Sequence, residues 1–256
     1  INVYAKAQHT IGKNLILFGD VQLRSVAYEM NGFRKNPTLH PTVDFNFFNP
    51  KAGLTYLLRN TSQQRQKLYA SFAVANKEPN RDDFEASPTS LPKAERLHDI
   101  EAGYEINRKA WSANANLYYM IYRDQLVATG QINDVGAYAR TNVANSYRRG
   151  IELQAAYLPA PWVRLNANAT FSENKINNFT QFVDNYDDPT GAQLATNLGT
   201  TDIAFSPNTI AAAGVTFMPF QNLSREQVIE LGIMGKHVGR QYLDNTGNKA
   251  RRIADY

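Results

Sequence analysis

The chain has 256 residues, enough for one large all-β domain, and its formal charge of +4 comes from interspersed Lys and Arg rather than a block, which argues against a nucleic-acid arm. It has no cysteine, which excludes a disulfide framework and a thiolate metal site. No run approaches ~18 consecutive apolar residues, so no transmembrane helix is encoded; a mean hydropathy of -0.46 still admits a membrane barrel, whose lumen and loops are polar.

In chain order, Val3, Ala5 and Ala7 alternate with Tyr4, Lys6 and Gln8, and Gly12-Lys13-Asn14 turns the chain. Strand two sets Leu15, Leu17, Val21 and Leu23 against Asp20, Gln22 and Arg24. A loop with Asn31-Gly32, Asn36-Pro37 and His40-Pro41 follows. Strand three includes Leu54 to Leu58, and strand four puts Leu68, Ala70, Phe72 and Val74 on one face. Residues 77–96 form a loop broken by Pro79, Pro88 and Pro92. Strand five alternates Ile100, Ala102, Tyr104 and Ile106 with Asp99, Glu101, Gly103 and Glu105. Strand six runs from Trp111 through Ile121, and Arg123 to Asn145 reads as a long loop.

The hairpin from Tyr147 to Ser172 is the most regular feature. Val163, Leu165, Ala167, Ala169 and Phe171 make one face dry, while Arg164, Asn166, Asn168 and Thr170 make the other wet. Pro159-Ala160-Pro161 ends the pairing, since proline cannot donate to a ladder. A loop at residues 173–208 and a last hairpin, Ala211 to Phe217 with Ile229 to Ile233, complete ten strands in five hairpins.

The connections alternate short and long, and long loops are uncommon in compact domains. The predicted class is therefore all-β, an antiparallel up-and-down transmembrane β-barrel, with short turns at one end and long extracellular loops at the other. Trp162 to Ser172 spans roughly 36 Å and, tilted, rises through the ~25 Å apolar band of such barrels. Trp111, Trp162, Phe217 and Phe220 flank short turns and read as a membrane girdle. A soluble β-sandwich would explain the alternation equally well, because periodicity alone does not distinguish lipid from core.

Four segments, in order, resemble the barrel of TonB-dependent outer-membrane receptors. They are Val74-Ala-Asn-Lys-Glu-Pro-Asn-Arg-Asp-Asp-Phe84, Leu91-Pro-Lys-Ala-Glu-Arg-Leu-His-Asp-Ile-Glu-Ala-Gly-Tyr104, Asn116-Leu-Tyr-Tyr-Met-Ile-Tyr-Arg-Asp-Gln-Leu126, and Thr141-Asn-Val143 with Arg149-Gly-Ile-Glu-Leu153. The resemblance implies a bacterial outer-membrane location and a barrel of about 22 strands closed around an N-terminal plug. It implies uptake of a scarce small nutrient, most often a ferric siderophore, haem or cobalamin, driven by the TonB complex through the plug. Outer-membrane lipid and lipopolysaccharide would surround it. The chain then reads as a fragment from the second half of the barrel, residues 1–256 lacking plug, first strands and last strands. Its unpaired edges predict an open curved sheet or edge-to-edge association. A passive porin or small complete barrel is the rival within the membrane class.

Candidate site residues fall into three groups. Asp99, Glu101, Glu105, Arg148, Glu152 and Arg164 share the wet face and would line the lumen, as generic lining or as plug contacts. Arg81, Arg123 and Arg140 fall in predicted extracellular loops and suit an anionic iron chelate or lipopolysaccharide phosphates. Asp184, Asp187 and Asp188 cluster as hard-cation donors for calcium, but they lack the spacing of a 12-residue calcium loop, so a solvated acidic loop is the favoured reading. The 4 histidines are scattered, and no G-x-S-x-G, H-E-x-x-H or phosphate-loop pattern occurs, so neither a cofactor nor a catalytic set is expected.

Overall fold

A computed structural model describes residues 1–34, 37–85, 91–132, 138–219 and 229–256, with side chains throughout except at 131, 132, 138 and 139. Ten long strands follow one another in a single antiparallel sheet: β1 (Asn2–Ile11), β2 (Leu15–Glu29), β3 (Thr42–Asn60), β4 (Gln64–Lys77), β5 (Glu95–Arg108), β6 (Trp111–Ile132), β7 (Tyr138–Ala160) and β8 (Val163–Ile176), then, after a loop carrying the short strands β9 (Thr180–Val183), β10 (Leu194–Asn197) and β11 (Thr201–Asp202), β12 (Thr209–Phe217) and β13 (Leu231–Val238). Each pairs only with its sequence neighbours along this path, apart from β11, which adds to β8. This is the up-and-down order expected. Among the described residues no second layer packs on the sheet, which removes the sandwich alternative.

The register fixes the two faces. Ala102 opposes Leu117, which opposes Ile151, which opposes Phe171, and the residues between them are Glu101, Tyr118, Gly150 and Ser172. A slip of one residue on any strand would exchange the faces, so the alternation in the sequence selects this register. The apolar face is uncovered: Leu117 is 57% exposed, Leu23 59% and Phe171 49%. A soluble domain hides such a face, because each large apolar side chain gains about 1.5–3 kcal/mol on burial.

On the polar face two tyrosines each cross a glycine. The Tyr69 ring lies over Gly103 and its hydroxyl donates to Asn116 Oδ1 at 3.1 Å, spanning β4 to β6. Two strands on, the Tyr118 hydroxyl sits where a Cβ on Gly150 would come within 2.8 Å of it. A side chain at either glycine would displace the ring that bridges the strands.

The predicted loop from Arg123 to Asn145 is a correction. β6 and β7 continue through it, and Arg123 opposes Asn145, Gln125 opposes Val143 and Val127 opposes Thr141. The cause is packing from behind: Val127 and Val143 are buried with Ile176 at the end of β8 and with Phe179 and Ile203 of the loop after it, which holds the overhanging pair together. The second buried cluster, Met30, Phe33, Leu39 and Phe84, also sits at the long-loop end, beside Tyr28, Val43 and Phe45. After β13 the chain makes a further excursion with the two-residue strands β14 (Gln241–Tyr242) and β15 (Arg252–Ile253), and Val238 and Tyr256 then exchange both backbone hydrogen bonds.

Candidate functional site

The six wet-face candidates do share the polar face, but they form three separate groups. At the short-turn end, Lys67 Nζ lies 2.8 Å from Glu105, whose other oxygen accepts from Asn107 Nδ2 at 2.6 Å. They border an open hollow of about 610 Å³ lined also by Asn114, Gln154, Asn166 and Asn168. Arg164 lies at the same end and reaches Glu230 at 3.2 Å. Midway, Glu101 and Glu152 flank Asn116 and Tyr118 in neighbouring rows. Towards the long loops, Arg148 donates to Ser206 Oγ at 2.9 Å. Asp99 keeps one buried carboxylate oxygen without a partner among the described residues.

Above these groups a single turn crosses the polar face. Residues Arg81–Phe84 form one 3₁₀ turn opened by Asn80, whose backbone N–H donates to Asp83 Oδ2 at 2.7 Å. Phe84 is fully buried against Tyr28 and Phe45 of β2 and β3. Asp83, beside it, accepts a two-pronged bond from Arg140 of β7 at 2.7 and 2.5 Å. One turn is thus fastened to strands four places apart in the sheet. Arg81 stacks over the Phe33 ring at 4.6 Å and donates to the Gly32 carbonyl at 3.1 Å. Glu78 takes the Arg24 guanidinium and the Tyr28 hydroxyl. Burial works to raise its carboxyl, but the bonds from Arg24 and Tyr28 outweigh burial and hold it below the usual range.

These placements correct the loop group. Arg140 and Arg123 are strand residues, because β6 and β7 run past them. Arg140 is engaged with Asp83, and Arg123 alternates with Tyr122 onto the apolar face. Arg81 does sit in a loop, as expected, where it is tied to loop residues and stays exposed. Asp83, Glu78 and Phe84 were missed as partners, since their contacts lie far away in sequence.

The acidic loop does not make a metal cage. Asp188 Oδ1 caps its own turn, accepting from Thr190 N and Oγ1 at 2.8 and 2.7 Å, and those bonds hold the carboxyl below its usual range. Asp184 accepts from Gln193 at 2.8 Å, and Asp187 stays in the neighbouring turn. Among the described residues no three carboxylate or imidazole groups converge. The girdle candidates lie at the short turns: the Trp162 ring stacks on Phe217 with centroids 6.4 Å apart, and Arg108 sits over Trp111. Phe220 lies outside the described residues.

Comparison with known proteins follows the same outline. The model of the family "TonB dependent receptor-like, beta-barrel" matches residues 1–256. Among solved structures, the FrpB iron transporter from Neisseria meningitidis superposes with a TM-score of 0.66 at 19% identity, covering 100% of this chain and 36% of that one. The siderophore receptor PiuA from Acinetobacter baumannii gives 0.73 at 13%, with 100% and 35% covered, and the copper transporter OprC gives 0.69 at 16%, with 100% and 37% covered. This chain therefore spans little more than a third of each. No curated protein matches it. The chain belongs to the TonB-dependent receptor-like β-barrel family.

Proposed function

We propose that this chain is part of the wall of an outer-membrane active transporter that takes up a scarce nutrient, a ferric siderophore or another iron complex, with energy supplied through TonB. The observation that carries this reading is an uncovered apolar face backed by a hydrogen-bonded polar face, in a chain whose full length matches the family. An uncovered face of this kind suits lipid, and the polar face then lines a wet lumen. Iron is favoured because FrpB is named an iron transporter and PiuA a siderophore receptor; OprC, a copper transporter, keeps other metals in view.

In this reading the polar face meets an N-terminal plug through which the TonB complex acts. The unpartnered oxygen of Asp99 suits a donor brought by the plug, and Arg148, Glu101 and Glu152 supply further charge along that wall. The turn Arg81–Phe84 narrows the entrance from the loop side. Trp162, Phe217 and Trp111 mark the inner membrane boundary.

Uptake of radiolabelled ferric siderophores by cells carrying the intact gene tests it, with and without TonB. Accumulation that needs both gene and TonB is the expected outcome. Uptake that persists without TonB would make the protein a passive pore, and uptake of copper but not iron would change the cargo.

A further inference from the structure

One row of the apolar face is not apolar. Asn76 of β4 opposes Arg96 of β5, Arg96 opposes Arg123 of β6, and Arg123 opposes Asn145 of β7. The row lies at the long-loop end. Next along the sheet comes Val74, His98, Ile121 and Tyr147, and then Phe72, Ile100, Tyr119 and Arg149, after which the next two rows, Ala70, Ala102, Leu117 and Ile151 and then Leu68, Tyr104, Ala115 and Leu153, carry no charge. Two arginines therefore stand directly opposite each other at the upper margin of the band. Cross-strand side chains have Cβ atoms about 4.5–5.5 Å apart, and like charges so placed repel.

The surroundings do not cancel that charge. Arg96 Nε donates to Asn76 Oδ1 at 3.0 Å, and Arg123 Nη1 donates to Asn145 Oδ1. Both partners are neutral amides, each on the strand away from the other arginine. Neither arginine takes part in an ion pair among the described residues, and both are exposed. The neighbouring charges on this face behave differently: Arg149 pairs with Glu173 at 2.5 Å and Lys175 with Asp202 at 2.8 Å. At those two positions charge is neutralised within the protein. At Arg96 and Arg123 it is held in place and left open.

We propose that Arg96 and Arg123 together bind a phosphate group on an outer-leaflet glycolipid, with Asn76 and Asn145 holding the two guanidinium groups in position. A guanidinium offers five donors in a planar fork, so two of them suit the oxygens of one phosphate monoester better than two ammonium groups would. The apolar rows below, with Ile100, Leu117 and Tyr119, receive the acyl chains of the same lipid. An anion there removes the repulsion that the bare pair carries. The inference rests on the membrane orientation proposed above but not on the cargo or on TonB.

The test uses the intact receptor purified into nanodiscs, titrated with bis-phosphorylated lipid A, with dephosphorylated lipid A, and with inorganic phosphate. The wild type is expected to bind the phosphorylated lipid at least about tenfold more tightly than the dephosphorylated one, and R96Q/R123Q to lose about that factor. R96K/R123K keeps charge without the forks and falls between. R149Q, whose arginine already has Glu173, leaves binding unchanged. Heat-modifiable migration on a gel reports whether each variant is folded. Equal binding of the two lipids, or a folded double glutamine variant that binds like wild type, overturns the proposal. So does inorganic phosphate that competes as well as the lipid, which would assign the pair to a free anion. Labelling of D188C by a membrane-impermeant maleimide on intact cells, above that of the unsubstituted receptor, reports orientation independently. Failure to label would count against the membrane reading itself, whereas loss of TonB-dependent uptake would leave lipid binding intact.

Discussion

Tyr69 and Gly103 form one interlocked unit: the ring occupies the space a side chain at 103 would need, and its hydroxyl reaches past to Asn116 at 3.1 Å. Tyr118 and Gly150 repeat the arrangement two strands along, with a difference that matters for substitution. The nearest atoms to a Cβ at 103 would all belong to the Tyr69 ring end, at 2.3 Å, whereas a Cβ at 150 would come within 2.3 Å of the Phe171 carbonyl oxygen as well as near the Tyr118 hydroxyl. A ring end can swing aside more easily than a ladder carbonyl. We expect G150A to cost about 2–3 kcal/mol and G103A about 1 kcal/mol in urea unfolding of the lipid-embedded protein. Y69F, which removes the bond to Asn116 and the long one from Asn114, should cost about 1 kcal/mol. The order of the two glycine variants is the decisive observation.

The Arg140–Asp83 pair makes a second prediction. The Asp83 side chain is 4% exposed, so R140A leaves a buried carboxylate with only its backbone partner at Asn80. Losing one partner of a fully buried pair costs about 3–5 kcal/mol, and the 36% exposure of Arg140 reduces this to about 1–3 kcal/mol. The loss falls on the turn and not on the sheet. Limited proteolysis should cut R140A within residues 78–94 while the barrel stays resistant, and R140A/D83N should recover part of the protection. Unchanged cleavage in R140A would show that Phe84 alone anchors the turn.

Glu78 gives the pH dependence. Its carboxyl is held below the usual range by Arg24 and Tyr28 against the opposing effect of burial, so it binds fewer protons docked than free. Its stabilisation is therefore present above the ordinary glutamate value of roughly 4.3 and is lost as pH falls through the lowered value. Hydrogen exchange at residues 78–85 should speed up as the medium is acidified below about pH 4, and E78Q should flatten that response. An acid response that survives E78Q would move the titrating group elsewhere.

Trp162 and Trp111 predict the depth of the short-turn end. With bromine-labelled lipids, their fluorescence should be quenched most by labels close to the headgroup and least by labels at the bilayer centre. Quenching deepest at mid-chain would displace the boundary from the Trp162–Phe217 stack.

How legible this fold is depends on where each strand lies. Along Val163 to Phe171 the period of two is written directly, because every second side chain faces one apolar environment, and ten strands with their faces follow from it. The upper parts of β6 and β7 carry no such pattern. Asp124 takes a φ of 52° and Gly130 one of 84°, and Asn142 bonds the Asp124 carbonyl, all features that read as a loop. They remain strand because Val127 and Val143 pack on Ile176 and Phe179, contacts supplied by the end of β8 and the loop that follows it. The site was legible only in part for the same reason. Alternation alone assigns Asp99, Glu101, Arg148 and Glu152 to one face. It does not reveal that Arg140 belongs to Asp83, 57 residues away, or that Arg96 and Arg123 meet across a register fixed by every turn between them.

The overhang of β6 and β7 also has a mechanical meaning. From the row of Arg123 and Asn145 to that of Ala128 and Arg140 the two strands keep one register over about five residues, roughly 17 Å of ribbon, and the register then shifts before Ile132 meets Tyr138. Neighbouring loops brace it there: Gln193 donates to the Gly130 carbonyl, Asn245 donates to the Ala128 carbonyl, and Phe179 and Ile203 pack its base. A reporter peptide grafted in place of residues 133–137 would therefore be carried on a base that two other loops hold in place. In the proposed membrane orientation, an antibody raised to the grafted peptide should bind whole cells.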